Sequence, residues 1–119
     1  MNSKRTPRRG EIWKANLGDP PRAHRVLIVS LDSRNLSEGV ESVLIVPFGS
    51  MGKEGPTVMK LDPGETNLPV VSYLKGHFIT TLPTARLVRA EPRPFSQSRM
   101  REVCALIRRA FDPDAPWEG

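Results

Sequence analysis

The chain contains the same apolar run twice, Val-Leu-Ile-Val at residues 26–29 and again at residues 43–46. Both runs are rich in β-branched residues and are bounded by polar or turn residues. A strand with one solvated face would carry polar residues at alternate positions, so unbroken runs of this kind are typical of strands buried on both faces. We therefore predict two neighbouring buried strands.

Other segments predict further short strands. Residues 11–17 alternate polar and apolar positions, which favours a strand with Trp13, Ala15 and Leu17 on one covered face. Residues 57–61 have the composition of a short strand. Residues 68–82 are rich in β-forming residues but are interrupted by Gly76, which indicates two short strands or one strand bent at a bulge.

The C-terminal third predicts the main helix. Ser96 or Ser98 can cap a helix that continues to about Phe111 and has one apolar stripe. Residues 83–87 predict a single helical turn, and residues 31–42 and 49–56 predict loops. Many short strands with one terminal helix indicate a mainly β (α+β) protein, with a small, strongly curved sheet or barrel and a helix packed on it.

Length and hydropathy predict one domain outside the membrane. The chain has 119 residues, and no run approaches the roughly 20 apolar residues that span a bilayer. We predict a flexible basic arm at 1–9, a single domain at 10–112 and a tail at 113–119. The N-terminus lacks a secretory signal pattern, so we expect a cytoplasmic protein with no membrane partner.

Positive charge is concentrated at the two ends of the chain. The net charge is +5; residues 1–25 hold seven bases against two acids, and residues 86–111 again hold seven against two. Such segregation favours a polyanionic partner, although a solvated cationic surface is an alternative. The single cysteine, Cys104, lies in the apolar helical pattern and is expected to pack rather than react.

Four motifs in order resemble one protein family. They are Arg9-Gly10-Glu11-Ile12-Trp13, the segment from Arg25 to Ser30 with Asn35 beyond, Val46-Pro47-Phe48-Gly49-Ser50, and Ile79-Thr80-Thr81-Leu82 with Arg86-Leu87. This series resembles the MazF/PemK family of toxins. The resemblance implies an SH3-like barrel with a C-terminal helix, a homodimer, and a sequence-specific endoribonuclease that needs no metal or other cofactor and is silenced by an acidic antitoxin.

Metal-free cleavage of RNA requires a base for the attacking 2′-hydroxyl, an acid for the leaving 5′-oxygen and a fixed cation for the phosphorane charge. Arginine suits the last role, because its guanidinium stays charged and holds two phosphate oxygens. Arg25 matches the arginine that the family regards as catalytic. The alternative is an ordinary arginine at a strand edge.

This chain departs from the family pattern at two positions. Gly49 stands where the family usually has a catalytic Thr, so Ser50 is a possible substitute for its hydroxyl. His77-Phe78 stands where the family tends to have an acidic or polar residue followed by Gln or His, and the imidazole of His77 could act as acid or base. A structural histidine is the alternative interpretation.

Five further residues are candidates for substrate binding. Phe78 can stack on a base or, as we expect, fill the core. The loop before Arg25 is shorter than usual for the family, and Val26 replaces its customary proline. We therefore expect RNA affinity and sequence preference to differ from those of the family. The candidates are His24, Lys53, Phe78, Thr80 and Arg86.

Two other functions are compatible with the sequence. Because Gly49 lacks a hydroxyl, the protein could be a toxin that binds RNA without cutting it, or one that poisons a topoisomerase as the CcdB lineage does on the same barrel. A basic RNA-associated structural protein is supported only by the pI. The three hypotheses predict RNA cleavage, growth arrest with intact RNA, and no growth defect.

Overall fold

The computed structural model describes residues 5–117. In this part of the chain, the strands are β1 (Ile12–Leu17), β2 (Arg22–Ile28), β3 (Ser42–Gly49), β4 (Val58–Leu61), β5 (Ser72–Lys75), β6 (Thr80–Pro83) and β7 (Leu87–Ala90). The helices are α1 (Asp32–Asn35) and α2 (Gln97–Phe111), with short 3-10 turns at Gly76–Phe78 and Thr84–Arg86. None of these helices is long and apolar enough to cross a lipid bilayer.

The strands form one strongly curved antiparallel sheet. Its order is β4-β5-β3-β2-β1-β7, and β6 pairs with β3 outside this path. The long strand β3 curves the sheet, because its first half pairs with β6 and its last two residues pair with β5. The 3-10 turn at Gly76–Phe78 connects these two partners. The predicted mainly β architecture with a C-terminal helix is confirmed.

The two Val-Leu-Ile-Val runs are adjacent antiparallel strands, as predicted. Leu27 pairs with Val46, and Ile28 pairs with Ile45. Alternate residues face two separate cores, which we call the barrel core and the helix-side core. Val26 and Ile28 enter the barrel core around Trp13 and Leu87, whereas Leu27 and Val46 enter the helix-side core under α2. Burial of both faces explains why these runs contain no polar position.

Helix α2 covers the helix-side core. It begins after Ser96, whose side chain accepts a hydrogen bond from the Arg99 N–H as the sequence predicts, and it buries Met100, Val103 and Leu106. The helix backbone passes directly over Gly76. A Cβ atom at Gly76 would lie 2.7 Å from the carbonyl carbon of Leu106, so the position has room only for glycine.

Three details of secondary structure and burial differ from the sequence predictions. The predicted loop 31–42 contains α1, because Asn35 donates to the Ser30 carbonyl and accepts from the Ser30 hydroxyl. Strand β7 was not predicted, since only four residues form it at the sheet edge. Phe78 is 51% exposed, so its expected place in the core is wrong. The 3-10 turn that contains Phe78 turns its ring outward, against His77.

The predicted flexible arm 1–9 is packed against the domain where the structure describes it. Pro7 is buried, and the Arg9 N–H donates to Asp32 over 2.7 Å. The Arg9 guanidinium donates to the Val29 carbonyl over 3.2 Å and to the Cys104 sulfur over 3.0 Å. These contacts anchor residues 5–9 beside α1 and α2, and residues 1–4 lie outside the described chain.

Candidate active-site groove

A groove of about 390 Å³ opens beside the first half of β2. One wall is polar and carries Lys14, His24 and Arg25. An apolar wall is formed by Leu68, Val70 and Val71 in the segment between β4 and β5. The end of β3, with Gly49 and Ser50, also lines the groove. The groove therefore offers cations for a phosphate and apolar surface for a nucleobase.

Arg25 lies in the groove as a half-buried cation, with 26% of its side chain exposed. Its Nε atom is 3.3 Å from Oε1 of Glu91, whose side chain is only 9% exposed. Neither atom completes a hydrogen bond, so the contact is an ion pair without ideal donor geometry. Among residues 5–117, Glu91 is the only polar partner that the Arg25 side chain has. The two terminal nitrogens can therefore engage an anion in the groove.

Glu91 is held in place by the backbone. It follows directly after β7, and its N–H donates to the Ile12 carbonyl over 2.7 Å. Sequence reasoning did not identify this residue, because β1 and β7 are far apart in the chain and only the folded sheet brings Glu91 beside Arg25. Lys14 and the apolar wall were missed as site residues as well, although the alternation in β1 did place Lys14 at a polar position.

The structure brings Ser50 and His24 into the groove with Arg25. Ser50 lies in the bend after β3, one residue beyond Gly49, which pairs with Tyr73. His24 lies on β2 opposite Ala15 and is exposed. Ser50, His24 and Arg25 therefore line one groove, with His24 on the face of β2 opposite to that of Arg25. A hydroxyl, an imidazole and a guanidinium are groups that phosphoryl chemistry can use.

His77 does not line this groove. Its Nδ1 atom is 2.9 Å from the Thr57 hydroxyl, and its ring lies 4.5 Å from the ring of Phe78. Phe78 in turn has the Lys75 ammonium 5.6 Å from its ring centroid. These residues form a separate exposed cluster beside the start of β4. The structure thus separates His77, the predicted acid–base group, from Arg25 and from His24, which lines the groove.

The remaining predicted substrate-binding residues also lie outside the groove lining. Thr80 begins β6, where it pairs with Ile45. The Arg86 guanidinium donates to the carbonyls of Gly18 over 3.1 Å and Asn16 over 3.4 Å, so it holds the end of the β1–β2 hairpin. Lys53 is exposed in the loop after β3.

The apolar wall is held by arginines. Arg99 on α2 donates to Glu65 over 2.9 Å and to Glu102 over 2.6 Å. The pKa of the Arg99 guanidinium is raised, chiefly by its hydrogen bond to Glu102 and further by Glu65, against the opposing effect of burial. Arg93 donates to the Gly64 carbonyl over 3.1 Å. These contacts fix the start of the segment that leads into Leu68–Val71.

Comparison with known proteins assigns a class to this combination of sheet, helix and groove. The family model described as PemK-like, MazF-like toxin of type II toxin-antitoxin system matches residues 8–111. The chain therefore belongs to the PemK-like, MazF-like family of type II toxins, as the sequence motifs predict. No curated protein sequence matches the chain at a significant level.

Solved structures of two endoribonucleases and a toxin share the fold at low sequence identity. An endoribonuclease from a mycobacterial species, in complex with its cognate antitoxin, is 24% identical and has a TM-score of 0.74; the match covers 94% of this chain and 99% of that one. A second mycobacterial endoribonuclease is 22% identical with a TM-score of 0.73, covering 98% and 100%. The Mycobacterium tuberculosis toxin MazF-mt6 is 21% identical with a TM-score of 0.69, covering 90% and 99%.

Proposed function

We propose that this toxin is a sequence-specific endoribonuclease that cleaves single-stranded RNA without a metal ion. The observation that carries the proposal is the environment of the Arg25 guanidinium. Its guanidinium is paired with Glu91 through Nε, while its terminal nitrogens are available in a groove that Ser50 and His24 also line. Such a cation can neutralise the phosphorane that forms during RNA cleavage.

The reaction is an attack of a 2′-hydroxyl on the adjacent phosphorus. As the new P–O2′ bond forms, the P–O5′ bond breaks, which leaves a 2′,3′-cyclic phosphate on one fragment and a 5′-hydroxyl on the other. We assign proton transfer to His24 rather than His77, because His24 lines the same groove as Arg25. We assign to the Ser50 hydroxyl a hydrogen bond to a phosphoryl oxygen, in the role that the family gives to the missing Thr, because Ser50 lines the groove.

The apolar wall supports single-stranded RNA as the substrate. Bases that are free of a duplex can be splayed out and can pack on apolar or planar side chains, whereas paired bases cannot reach such a wall. Val70 is 53% exposed within this wall, so apolar surface is available there for a base to pack on.

The decisive experiment is cleavage of a long RNA by the purified protein in EDTA. We expect fragments with 5′-hydroxyl and 2′,3′-cyclic phosphate ends. Arg25→Ala should lower the rate by about 10²- to 10³-fold, as loss of a preorganised charge-stabilising group typically does. Arg101→Ala is the matched control, because Arg101 is an exposed arginine on α2 outside the groove lining.

Two outcomes would contradict the proposal. If the wild type cleaves nothing across a broad set of RNAs, the enzymatic function is wrong. If Arg25→Ala and Arg101→Ala cleave equally well, the chemistry lies elsewhere in the molecule. Parallel thermal unfolding of each variant separates loss of the site from loss of the fold.

We further propose that a cognate acidic antitoxin silences the protein and that the toxin acts as a cytoplasmic homodimer. The mycobacterial endoribonuclease of similar fold was solved with its antitoxin, which supports such a partner. An acidic segment would compete with RNA for the cations of the groove. Co-expression with an adjacent small acidic reading frame should restore growth, and light scattering should give twice the mass of 13.3 kDa.

The alternative is a toxin that binds without cutting, either a non-cleaving RNA binder or a topoisomerase poison of the CcdB kind. The glycine at position 49 favours it, because the groove lacks the family's hydroxyl there. RNA profiling after induced expression discriminates between them. Growth arrest with intact RNA would favour the binder, and accompanying DNA damage would favour the poison; new 5′-hydroxyl ends would favour the nuclease.

A further inference from the structure

Three cations stand side by side across three strands. Arg25 on β2 is directly opposite Lys14 on β1, and Lys14 is directly opposite Arg89 on β7. Directly opposed residues of antiparallel strands share one face of the sheet, so these side chains form a row, which we call the cation row. Like charges in such positions destabilise a sheet. A row of three therefore suggests that an anion binds there.

A β-bulge places Arg89 in the row. Ala15 pairs with Leu87 while its neighbour Lys14 pairs with Arg89, so Val88 is an extra residue in β7. In a regular strand, residues 87 and 89 would share a face, and Arg89 would follow Leu87 toward the barrel core. Leu87 is 1% exposed in that core, so the bulge is what brings Arg89 to the face of Lys14. Bulges re-aim side chains in this way beside functional sites.

Most other arginines of the C-terminal segment are engaged by groups of the protein itself. Lys14 and Arg89, by contrast, have no polar side-chain partner within residues 5–117. The nearby carboxylate, Glu91, pairs with Arg25. The arginines that donate hydrogen bonds to other groups of the protein are Arg86, Arg93, Arg99, Arg108 and Arg109.

The row connects two grooves. Lys14 and Arg25 line the active-site groove, and Arg89 lines a second groove of about 560 Å³ at the β7 edge of the sheet, together with Glu91 and Arg5. Adjacent strands are about 4.8 Å apart, so the row extends about 10 Å from Arg25 to Arg89. A flexible polyanion that crosses the strands would meet one cation after another.

We propose that Lys14 and Arg89 form a phosphate-binding subsite that holds the RNA backbone next to the phosphate on Arg25. The RNA strand then crosses β2, β1 and β7 and leaves the protein at the sheet edge. This inference rests on the proposed function for its ligand. Lys14 and Arg89 contact no reacting atom, so they increase affinity and fix the position of the strand without contributing to the chemical step.

The test is binding of a fully 2′-O-methyl RNA oligonucleotide, which has no free 2′-hydroxyl and cannot be cleaved. Dissociation constants are measured over a range of salt concentrations. Lys14→Ala and Arg89→Ala should each weaken binding about fivefold. Each should also lower the slope of log Kd against log salt by about 0.7, the value for one phosphate contact on a single strand. Arg89→Lys should keep the slope, because it keeps the charge.

Arg101→Ala is again the matched control and should leave the slope unchanged. If the slopes of Lys14→Ala and Arg89→Ala equal that of Arg101→Ala, the subsite is wrong. If the two variants bind an acidic antitoxin peptide more weakly but bind the oligonucleotide as tightly as the wild type does, RNA is the wrong ligand for the subsite. Far-ultraviolet circular dichroism and thermal midpoints confirm that each variant is folded.

Failure of this inference can be distinguished from failure of the nuclease. If the wild type never cleaves RNA but Lys14→Ala and Arg89→Ala lower the salt slope as expected, the subsite is supported and the proposed nuclease function is wrong. If the wild type cleaves RNA but Arg89→Ala has the same salt slope as the wild type, the nuclease function is supported and the subsite is wrong. On cleavable RNA, both variants should raise KM with little change in kcat.

Discussion

The Arg25–Glu91 pair sets the electrostatics of the groove. A free arginine at this position would attract phosphate more strongly, but its long side chain would adopt many rotamers. The Glu91 carboxylate 3.3 Å from Nε restricts the guanidinium and offsets part of its charge. Glu91 therefore improves the orientation of the Arg25 guanidinium but weakens its attraction for phosphate. Replacing Glu91 should make the orientation poorer and the affinity for RNA higher.

Glu91→Gln should lower kcat and lower KM together. The amide keeps the size of the side chain but removes the negative charge, so RNA binds more tightly while Arg25 is held less firmly. We expect a decrease in kcat of about tenfold, measured by steady-state cleavage of a fluorogenic RNA. Asp112→Asn is the control, since Asp112 also pairs with an arginine, Arg108, and neither residue lines the groove. An unchanged kcat would contradict a positioning role for Glu91.

Gly49→Thr should increase cleavage. A Cβ atom at this position would meet only the carbonyl oxygens of Met51 at 3.9 Å and Tyr73 at 4.0 Å, so it fits without displacing the backbone. The new hydroxyl would stand where the family has its Thr. We expect kcat to rise about tenfold or more in the same assay. Gly49→Val has the same shape without the hydroxyl and should give no gain; equal gains from Val and Thr would contradict the prediction.

At the scale of elements, helix α2 and the turn after β5 depend on one glycine. The sequence marks Gly76 only as an interruption in a β-rich stretch, whereas the structure shows that the backbone of Leu106 and Ile107 occupies the space of a side chain. This close approach locates the helix relative to the sheet. Gly76 also begins the 3-10 turn between β5 and β6, and both of these strands pair with β3.

Gly76→Ala should lower the free energy of unfolding by about 1–3 kcal/mol, the usual cost of overpacking a rigid contact. The added methyl group would lie 2.7–2.8 Å from helix backbone atoms, which cannot rotate away. Gly55→Ala is the control, because no atom lies within 4 Å of the position that its methyl group would take. Its stability should change by less than about 0.5 kcal/mol. Urea denaturation measures both variants, and equal stabilities would show that α2 can shift.

At the scale of the whole molecule, the groove exists only because distant segments meet. Strands β1 and β2 supply cations, the end of β3 supplies Ser50, and the segment before β5 supplies the apolar wall. The wall is tied to α2 by Arg99 through Glu65, at 2.8 Å. The helix thus contributes to the groove without lining it.

Arg99→Ala should loosen the apolar wall and raise KM for RNA. Hydrogen exchange should increase over residues 62–71 and remain unchanged in β2 and β3, because the ion pair to Glu65 is the lost contact. Arg108→Ala is the control, since it removes another ion pair of α2, to Asp112, outside the groove. Faster exchange across the entire sheet would instead indicate general destabilisation.

Local patterns determined most of the elements and the family. Unbroken β-branched runs, alternation in β1 and a capped apolar stripe in α2 each depend on neighbouring residues, so they are visible in the sequence. The order of the motifs identified the family, and the motif position of Arg25 pointed to an arginine that lines the groove. Four-residue β7 and the helix α1 escaped prediction, because pairing with β1 and the Ser30–Asn35 hydrogen bonds define them.

Only the tertiary structure decided which residues join Arg25. Glu91, Lys14, Arg89 and the apolar wall reach it through strand pairing, a bulge and a helix contact, none of which leaves a local signal in the sequence. His77 illustrates the converse, since its motif position favours catalysis while its contacts are with Thr57 and Phe78. The chain sequence determines chemistry residue by residue, and the register between strands decides which of those residues act together.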